Sequence, residues 1–93
     1  MAKREIVVNG ALAKLGFEAV DRVTGVKGIV TSVSFDLYGC IQLLVQPEVN
    51  KEGKYVNSYW LDENRVKITG KKPVMEQPFF VKVHGPENNK PTF

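Results

Sequence analysis

Apolar and polar side chains alternate most clearly in the middle of the chain, from Val26 to Phe35. One face of this segment carries Ile29, Thr31, Val33 and Phe35, and the other carries Val30, Ser32 and Ser34. A period of two residues is typical of a β-strand, in which successive side chains point to opposite faces. The pattern therefore predicts one long strand here.

Shorter segments rich in β-branched residues predict further strands on both sides of it. They run from Phe17 toward the turn pair Thr24-Gly25, from Cys40 to Gln46, from Val56 to Leu61 and from Val66 to Thr69. Polar turn signals separate them: Asp36 to Gly39, the hairpin tip Asn50 to Lys54, and Asp62 to Arg65, which suits a single 3₁₀ turn. Five short strands joined by such turns favour an antiparallel fold.

The stretch from Phe17 to Gly70 has the size of a small SH3-like barrel, so we predict a mainly β protein built on such an antiparallel barrel. Residues 1–16 are an N-terminal extension, residues 17–70 the barrel, and residues 71–93 an extended C-terminal segment with one candidate strand and a flexible tail. Gly25 and Gly28 are expected to let the first two strands turn and bend around the barrel.

In the N-terminal extension, Ile6-Val7-Val8 predicts a short strand that ends at the turn pair Asn9-Gly10. Ala11 to Leu15 has helix-forming residues but is too short for a stable isolated helix, so one helical turn closing at Gly16 is expected.

The alternation also predicts which side chains are buried. The expected core consists of Ile29, Val33, Leu43, Val45 and Trp60. Cys40, at the start of a predicted strand, is expected to be a buried core residue as well.

Composition narrows the class of function. With 93 residues and a net charge of +3, the chain has the size of one domain and is only mildly basic. Positive and negative residues alternate along it, as in Asp21 with Arg22, which indicates a solvated mixed surface rather than a dedicated polyanion binder. No apolar run approaches the roughly 20 residues that span a bilayer, so no membrane partner is expected.

The residues that usually carry chemistry are scarce. One cysteine, Cys40, and one histidine, His84, cannot supply an internal disulfide or a structural zinc site, and they lie far apart in the sequence. No nucleophile with a base in reach can be assembled from them. We therefore expect no catalytic activity, no cofactor and no bound metal, and a reducing cytosol as the setting.

Aromatic and basic residues near the end of the predicted barrel form a candidate binding surface. Its members are Tyr55, Tyr59, Trp60, Arg65, Lys67, Lys71 and Lys72. In a strand, Tyr59 and Trp60 face opposite ways, so either Trp60 anchors the core or an exposed aromatic binds a peptide or a base. The basic residues are either a solvated loop or a weak phosphate-binding stripe.

A second candidate surface lies in the C-terminal segment, at Phe79, Phe80, Val81 and Val83. These side chains are too apolar for a free tail. Either they dock on their own barrel as a strand, or they pair with a second copy of the chain and support a homo-oligomer.

The run "LGFEAVDRVTGVKGIVTSVSFDLYGCIQLLVQP", followed by "YWLDENRVKI", resembles a family of small SH3-like barrel proteins of tailed bacteriophages and prophages. The shared features are Leu15-Gly16, Asp21, Val23-Thr24-Gly25, Gly28-Ile29-Val30-Thr31, Gly39-Cys40, Val45-Gln46-Pro47, Trp60 and Asp62-Glu63. The aromatic pair that often precedes the acidic residue in that family is reduced here to Trp60. The resemblance implies a phage accessory or structural protein that acts in the host bacterial cytoplasm or in the virion.

Together these observations predict a non-enzymatic binding module that acts through contacts with a phage or host protein or with itself. Two alternatives stay open. One is weak nucleic-acid binding, and the other is an oligomer that sequesters a nucleotide-like small molecule at its subunit interfaces.

Overall fold

A computed structural model describes residues 3–80 of the chain and shows a mainly β fold. One helix precedes five strands, and a 3₁₀ turn, called η1, separates the last two strands. The elements are α1 (Lys3–Leu12), β1 (Glu18–Asp21), β2 (Lys27–Phe35), β3 (Ile41–Gln46), β4 (Tyr59–Asp62), η1 (Glu63–Arg65) and β5 (Val66–Ile68). The predicted turns at 36–39 and 50–54 and the predicted 3₁₀ turn are therefore confirmed, while the fourth strand begins at Tyr59 rather than at Val56.

The five strands form one antiparallel sheet in the order β4-β3-β2-β1-β5. In a flat sheet the two outer strands would lie about 19 Å apart, since neighbouring strands are about 4.8 Å apart. Only the three residues of η1 connect them, and a 3₁₀ turn rises about 2 Å per residue, so the sheet must coil strongly. It is not closed into a barrel: β4 and β5 are its two edges, and the predicted barrel closure is not confirmed.

The core lies on the inner face of this coiled sheet. It consists of six buried side chains, one or two from each strand: Ala19, Val30, Leu43, Val45, Leu61 and Val66. Leu15, Val33 and Ile68 pack against them. The burial predicted for Leu43 and Val45 is confirmed.

A β-bulge changes the phase of β2. Val30 pairs with Val45, but the next paired residue is Ser32 with Leu44, so Thr31 is an extra residue. An extra residue moves all later side chains to the opposite face. The inner face therefore carries Val30 before the bulge and Val33 after it, and the predicted burial of Ile29 on the face of Val33 is wrong.

The sequence prediction also placed two later side chains wrongly. Leu61 is the buried residue of β4, and its neighbour Trp60 lies on the outer face with 46% of its surface exposed. Cys40 was predicted to be buried but is exposed, because it belongs to the turn before β3 rather than to the strand.

The backbone at Gly28 lies close to the strand β3. A Cβ atom at this position would lie 2.5 Å from the carbonyl oxygen of Gln46 and 2.7 Å from a methyl carbon of Val45. Only a residue without a Cβ fits here. Gly28 therefore has a structural role between β2 and β3, while its predicted role in bending a strand around a barrel stays a prediction.

The N-terminal segment is a helix, so the strand predicted at Ile6–Val8 is wrong. A run of β-branched residues followed by Asn9-Gly10 has low helix propensity, which is why the local sequence favoured a strand and a turn. A short helix depends on tertiary contacts rather than on propensity. In α1, Ala11 is fully buried against the rest of the protein.

Hydrogen bonds hold the turn directly after α1 in place. The amide nitrogen of Gln77 donates to the carbonyl oxygens of Ala13, at 3.0 Å, and Leu15, at 2.7 Å. These carbonyls belong to the turn that directly follows α1, which ends at Leu12. The ammonium of Lys14, in the same turn, lies 2.9 Å from the carboxylate of Glu63 and so ties this turn to η1.

Candidate functional site

The outer face of β2, β3 and β4 is the first candidate binding surface. Because Leu43 and Leu61 point into the core, the residues next to them in the strands point outward. The strand register aligns three of these outward residues, Ser32, Leu44 and Trp60, in one row across the sheet. A second row, Ser34, Gln42 and Asp62, runs beside it.

Trp60 is the dominant side chain of this face. Nearly half of its surface is exposed, although Leu44 lies directly opposite it on β3. The neighbouring row offers polar groups, with the amide of Gln42 3.4 Å from a carboxylate oxygen of Asp62. An amphipathic ring with an indole N–H, flanked by an aliphatic and by polar side chains, can take up both apolar and hydrogen-bonding contacts.

The backbone of β4 adds a further means of binding. β4 is an edge of the sheet formed by residues 3–80, with β3 as its one strand partner. The N–H and C=O groups of an edge strand that point away from its partner can pair with an additional strand. The strand is only four residues long and ends in Asp62, which limits such pairing to a short segment.

The structure distributes the aromatic and basic residues that the sequence grouped into one site over several elements. Tyr59 and Trp60 lie on β4, and Tyr55 is 91% exposed in the irregular segment before it. Lys67 lies on β5, the opposite edge strand, and is followed by the exposed Lys71 and Lys72. The seven residues therefore do not form one strand surface.

Arg65 has a structural partner that the sequence did not reveal. Its guanidinium binds both carboxylate oxygens of Asp21, with distances of 3.1 Å to Oδ1 and 2.6 Å to Oδ2. The hydroxyl of Thr24 and the backbone N–H of Val23 donate to the same carboxylate. The prediction that Asp21 lies with Arg22 on the solvated surface is wrong for Asp21, which is buried and points inward from β1, while Arg22 is exposed.

This ion pair joins the turn after β1 to η1. The bond from Arg65 and the bond from the Thr24 hydroxyl hold the pKa of the Asp21 carboxyl well below its ordinary value of 3.8. The Asp21 carboxylate in turn raises the pKa of Arg65. The bidentate pair uses two of the five N–H donors of the guanidinium, so a phosphate could contact only the remaining donors unless it displaced Asp21.

The part of the C-terminal segment that the structure describes lies beside the turn after α1. The Val74 N–H donates to the carbonyl of Gly16 at 2.7 Å, and a groove of about 540 Å³ lies between Val74–Phe80 and the start of β2. Phe79 and Phe80 are exposed, at 88% and 63%, and residues 78–80 are not in a strand. Val81 and Val83, the other half of the predicted self-association segment, lie outside the described residues.

The β2–β3 hairpin tip is a surface that the sequence analysis missed. Leu37 and Tyr38 are 91% and 86% exposed in the turn between the two strands. The signal was present, because an aspartate followed three residues later by glycine marks a tight turn, and the two residues between them are large and apolar.

Two negative findings apply to residues 3–80. No three histidine, cysteine, aspartate or glutamate side chains in this part of the chain are grouped so that they could hold a metal ion. The one α-helix in the same range is too short to cross a membrane.

Comparisons with protein-family models, with curated proteins and with solved structures found no match. The resemblance to small phage proteins therefore stays a prediction.

Proposed function

We propose that this protein is a non-enzymatic binding module that acts through protein–protein contacts on the outer face of β3 and β4. The observation that carries the proposal is the position of Trp60, which is half exposed on an edge strand and not part of the core. Tryptophan is among the residues that most often dominate the energy of protein interfaces. Action in a host cytoplasm or in a virion rests on the sequence resemblance alone.

The test compares two lysine substitutions of exposed aromatic residues. Wild type, Trp60→Lys and Tyr55→Lys are immobilised in equal amounts and incubated with a bacterial lysate, and the retained proteins are quantified. We expect Trp60→Lys to lose a protein that wild type and Tyr55→Lys retain, because Tyr55 lies off the sheet. Thermal unfolding of both variants controls for loss of the fold. Equal retention by Trp60→Lys and wild type would reject this surface.

A specific arrangement favours nucleic-acid binding as the second candidate function. On the other half of the sheet, Lys27, Val20 and Lys67 form one cross-strand row, and both lysines are exposed. Three or four phosphate contacts predict a slope of about −3 for log affinity against log salt concentration. Replacing Lys27 and Lys67 together by glutamine should make this slope shallower by about 2. Duplex DNA whose binding shows neither effect would exclude this function.

The third possibility, sequestration of a nucleotide-like ligand, has less support. The 540 Å³ groove beside Val74–Phe80 is lined mainly by apolar side chains, and Glu76 is the one charged residue among those that line it. Such a lining suits an apolar ligand and offers no cation for a phosphate. Native mass spectrometry of the purified protein would show a retained ligand and the number of subunits in one measurement.

A further inference from the structure

The β2–β3 hairpin tip displays two large apolar side chains on a loop with a fixed shape. A carboxylate oxygen of Asp36 accepts hydrogen bonds from the N–H groups of Tyr38 and Cys40, each at 2.9 Å. Two backbone bonds, from Gly39 to the Asp36 carbonyl and from Asp36 to the Cys40 carbonyl, close the same turn. A partner that binds Leu37 and Tyr38 therefore has little loop entropy to overcome.

A groove of about 550 Å³ lies beside this tip, between the first two turns of α1 and the ends of β2 and β3. The apolar part of its lining is Val7, Val8, Phe35, Leu37 and Ile41. Val7 and Phe35 are about half exposed, at 50% and 44%. Leu37 belongs to both the tip and the groove lining, so the two adjoin, and exposed apolar side chains grouped in this way are typical of contact sites in small proteins.

The charged residues at the rim of the groove are mainly basic. Lys3 and Arg4, both exposed, line it from the first turn of α1, where the helix dipole adds a partial positive charge. The acidic residue of the lining is Asp36, and one of its oxygens already accepts two backbone N–H groups.

Lys3 and Arg4 lie in the first turn of α1, where positive charge lowers the stability of a helix. Cations are favourable in the last turn of a helix and unfavourable in the first, yet α1 has Lys3 and Arg4 in its first turn and no basic residue in its last. Glu5 is in the same turn but does not line the groove. A negatively charged partner above the first turn would reduce the repulsion between these two cations and the positive end of the helix dipole.

We infer that the groove and the tip bind a protein segment that inserts apolar side chains between α1 and the hairpin and places Asp or Glu residues above Lys3 and Arg4. This surface is separate from the Trp60 face and goes beyond the function proposed above. Its partner class follows from the apolar lining and the basic rim together.

The only cysteine of the chain is a direct reporter of this site, because Cys40 is exposed and lines the groove. The probes are a short peptide with leucine and phenylalanine flanked by glutamates and its counterpart with lysines in place of the glutamates. The rate at which iodoacetamide alkylates Cys40 is measured while each peptide is titrated. We expect the glutamate peptide to slow alkylation and the lysine peptide to leave the rate unchanged.

Three variants locate the binding. Leu37→Ser combined with Tyr38→Ser should weaken protection by the glutamate peptide about tenfold or more, the range of interface hot spots. Lys3→Gln combined with Arg4→Gln should remove most of the preference between the peptides at low salt. In Trp60→Lys, the glutamate peptide should protect Cys40 as it does in wild type. This result would keep the test independent of the proposed function.

Several results would overturn the inference. They are equal protection by the two peptides, no protection by either, or unchanged protection in the variant with both hairpin-tip serines. The same alkylation assay is also run with vesicles that contain phosphatidylserine, because a basic and apolar surface also suits an anionic membrane. Protection by these vesicles without protection by the glutamate peptide would assign the surface to lipid and reject a protein partner.

Discussion

Replacing glycine by alanine adds one methyl group, and we expect this change to lower stability at Gly28 and to raise it at Gly10. In Gly28→Ala the new Cβ would lie 2.5 Å from the Gln46 carbonyl oxygen, whereas ordinary van der Waals contact begins near 3.4 Å. The two strands would have to separate locally by about 0.9 Å. In Gly10→Ala no heavy atom lies within 4 Å of the new carbon, and the residue is inside α1.

The magnitudes follow from these distances. A hydrogen bond of ordinary length that is stretched by 0.9 Å no longer meets the geometric criteria, which removes about 1 kcal/mol. Overpacking a tight site costs about 1–3 kcal/mol more, so Gly28→Ala should lower the free energy of unfolding by about 2–4 kcal/mol. Gly10→Ala should raise it by about 0.5–1 kcal/mol, because alanine loses less backbone entropy in a helix.

Urea unfolding followed by circular dichroism measures both effects. For a denaturant slope near 1 kcal/mol per molar, Gly28→Ala should move the midpoint down by about 2–4 M and Gly10→Ala should move it up by about 0.5–1 M. A midpoint for Gly28→Ala within error of wild type would show that β2 and β3 do not approach each other as described. A lower midpoint for Gly10→Ala would show that α1 does not continue through residue 10.

Two further predictions concern the ion pair and the core. Asp21 has a lowered pKa in the folded state, so its contribution to stability is fully present well above its ordinary pKa of 3.8 and is lost as the pH falls through that value toward the lowered pKa. Asp21→Asn should therefore lower the melting temperature at pH 7 and flatten its decline between pH 5 and pH 3; a decline as steep as in wild type would contradict the pairing. Leu43→Ala should cost about 2–5 kcal/mol, while Leu37→Ala, which removes the same atoms at an exposed position, should change stability by less than about 0.5 kcal/mol. Similar midpoints for the two leucine variants in urea would refute the assignment of the core.

Sequence patterning could predict the strands because their signals are local. Alternation identified β2, β3 and β5, and the turn residues at 36–39 and 50–54 placed the connections correctly. The phase within β2 could not be predicted, because a bulge at Thr31 leaves no mark in the polarity of neighbouring residues. Strict alternation without a bulge would place Ile29 and Val33 on the same face of the strand.

Elements that depend on distant contacts were harder to predict. The helix α1 contains β-branched residues, and the turn directly after it is held by Gln77, more than 60 residues away. The pairing of Asp21 with Arg65 likewise joins residues 44 positions apart. The candidate surface stays a prediction, and its members lie on different elements, with Trp60 on β4 and Lys67 on β5.

The distribution of aromatic residues connects the fold with the proposed function. The chain has one tryptophan, three tyrosines and five phenylalanines, yet the buried core among residues 3–80 consists of alanine, valine and leucine only. Aromatic side chains normally supply a large share of the apolar area that a domain or an interface buries. Here Trp60, Tyr38 and Phe35 are each more than 40% exposed, and they lie on or beside the two surfaces argued above. Much of the apolar area that this small sheet cannot enclose is therefore still available for contacts with other molecules.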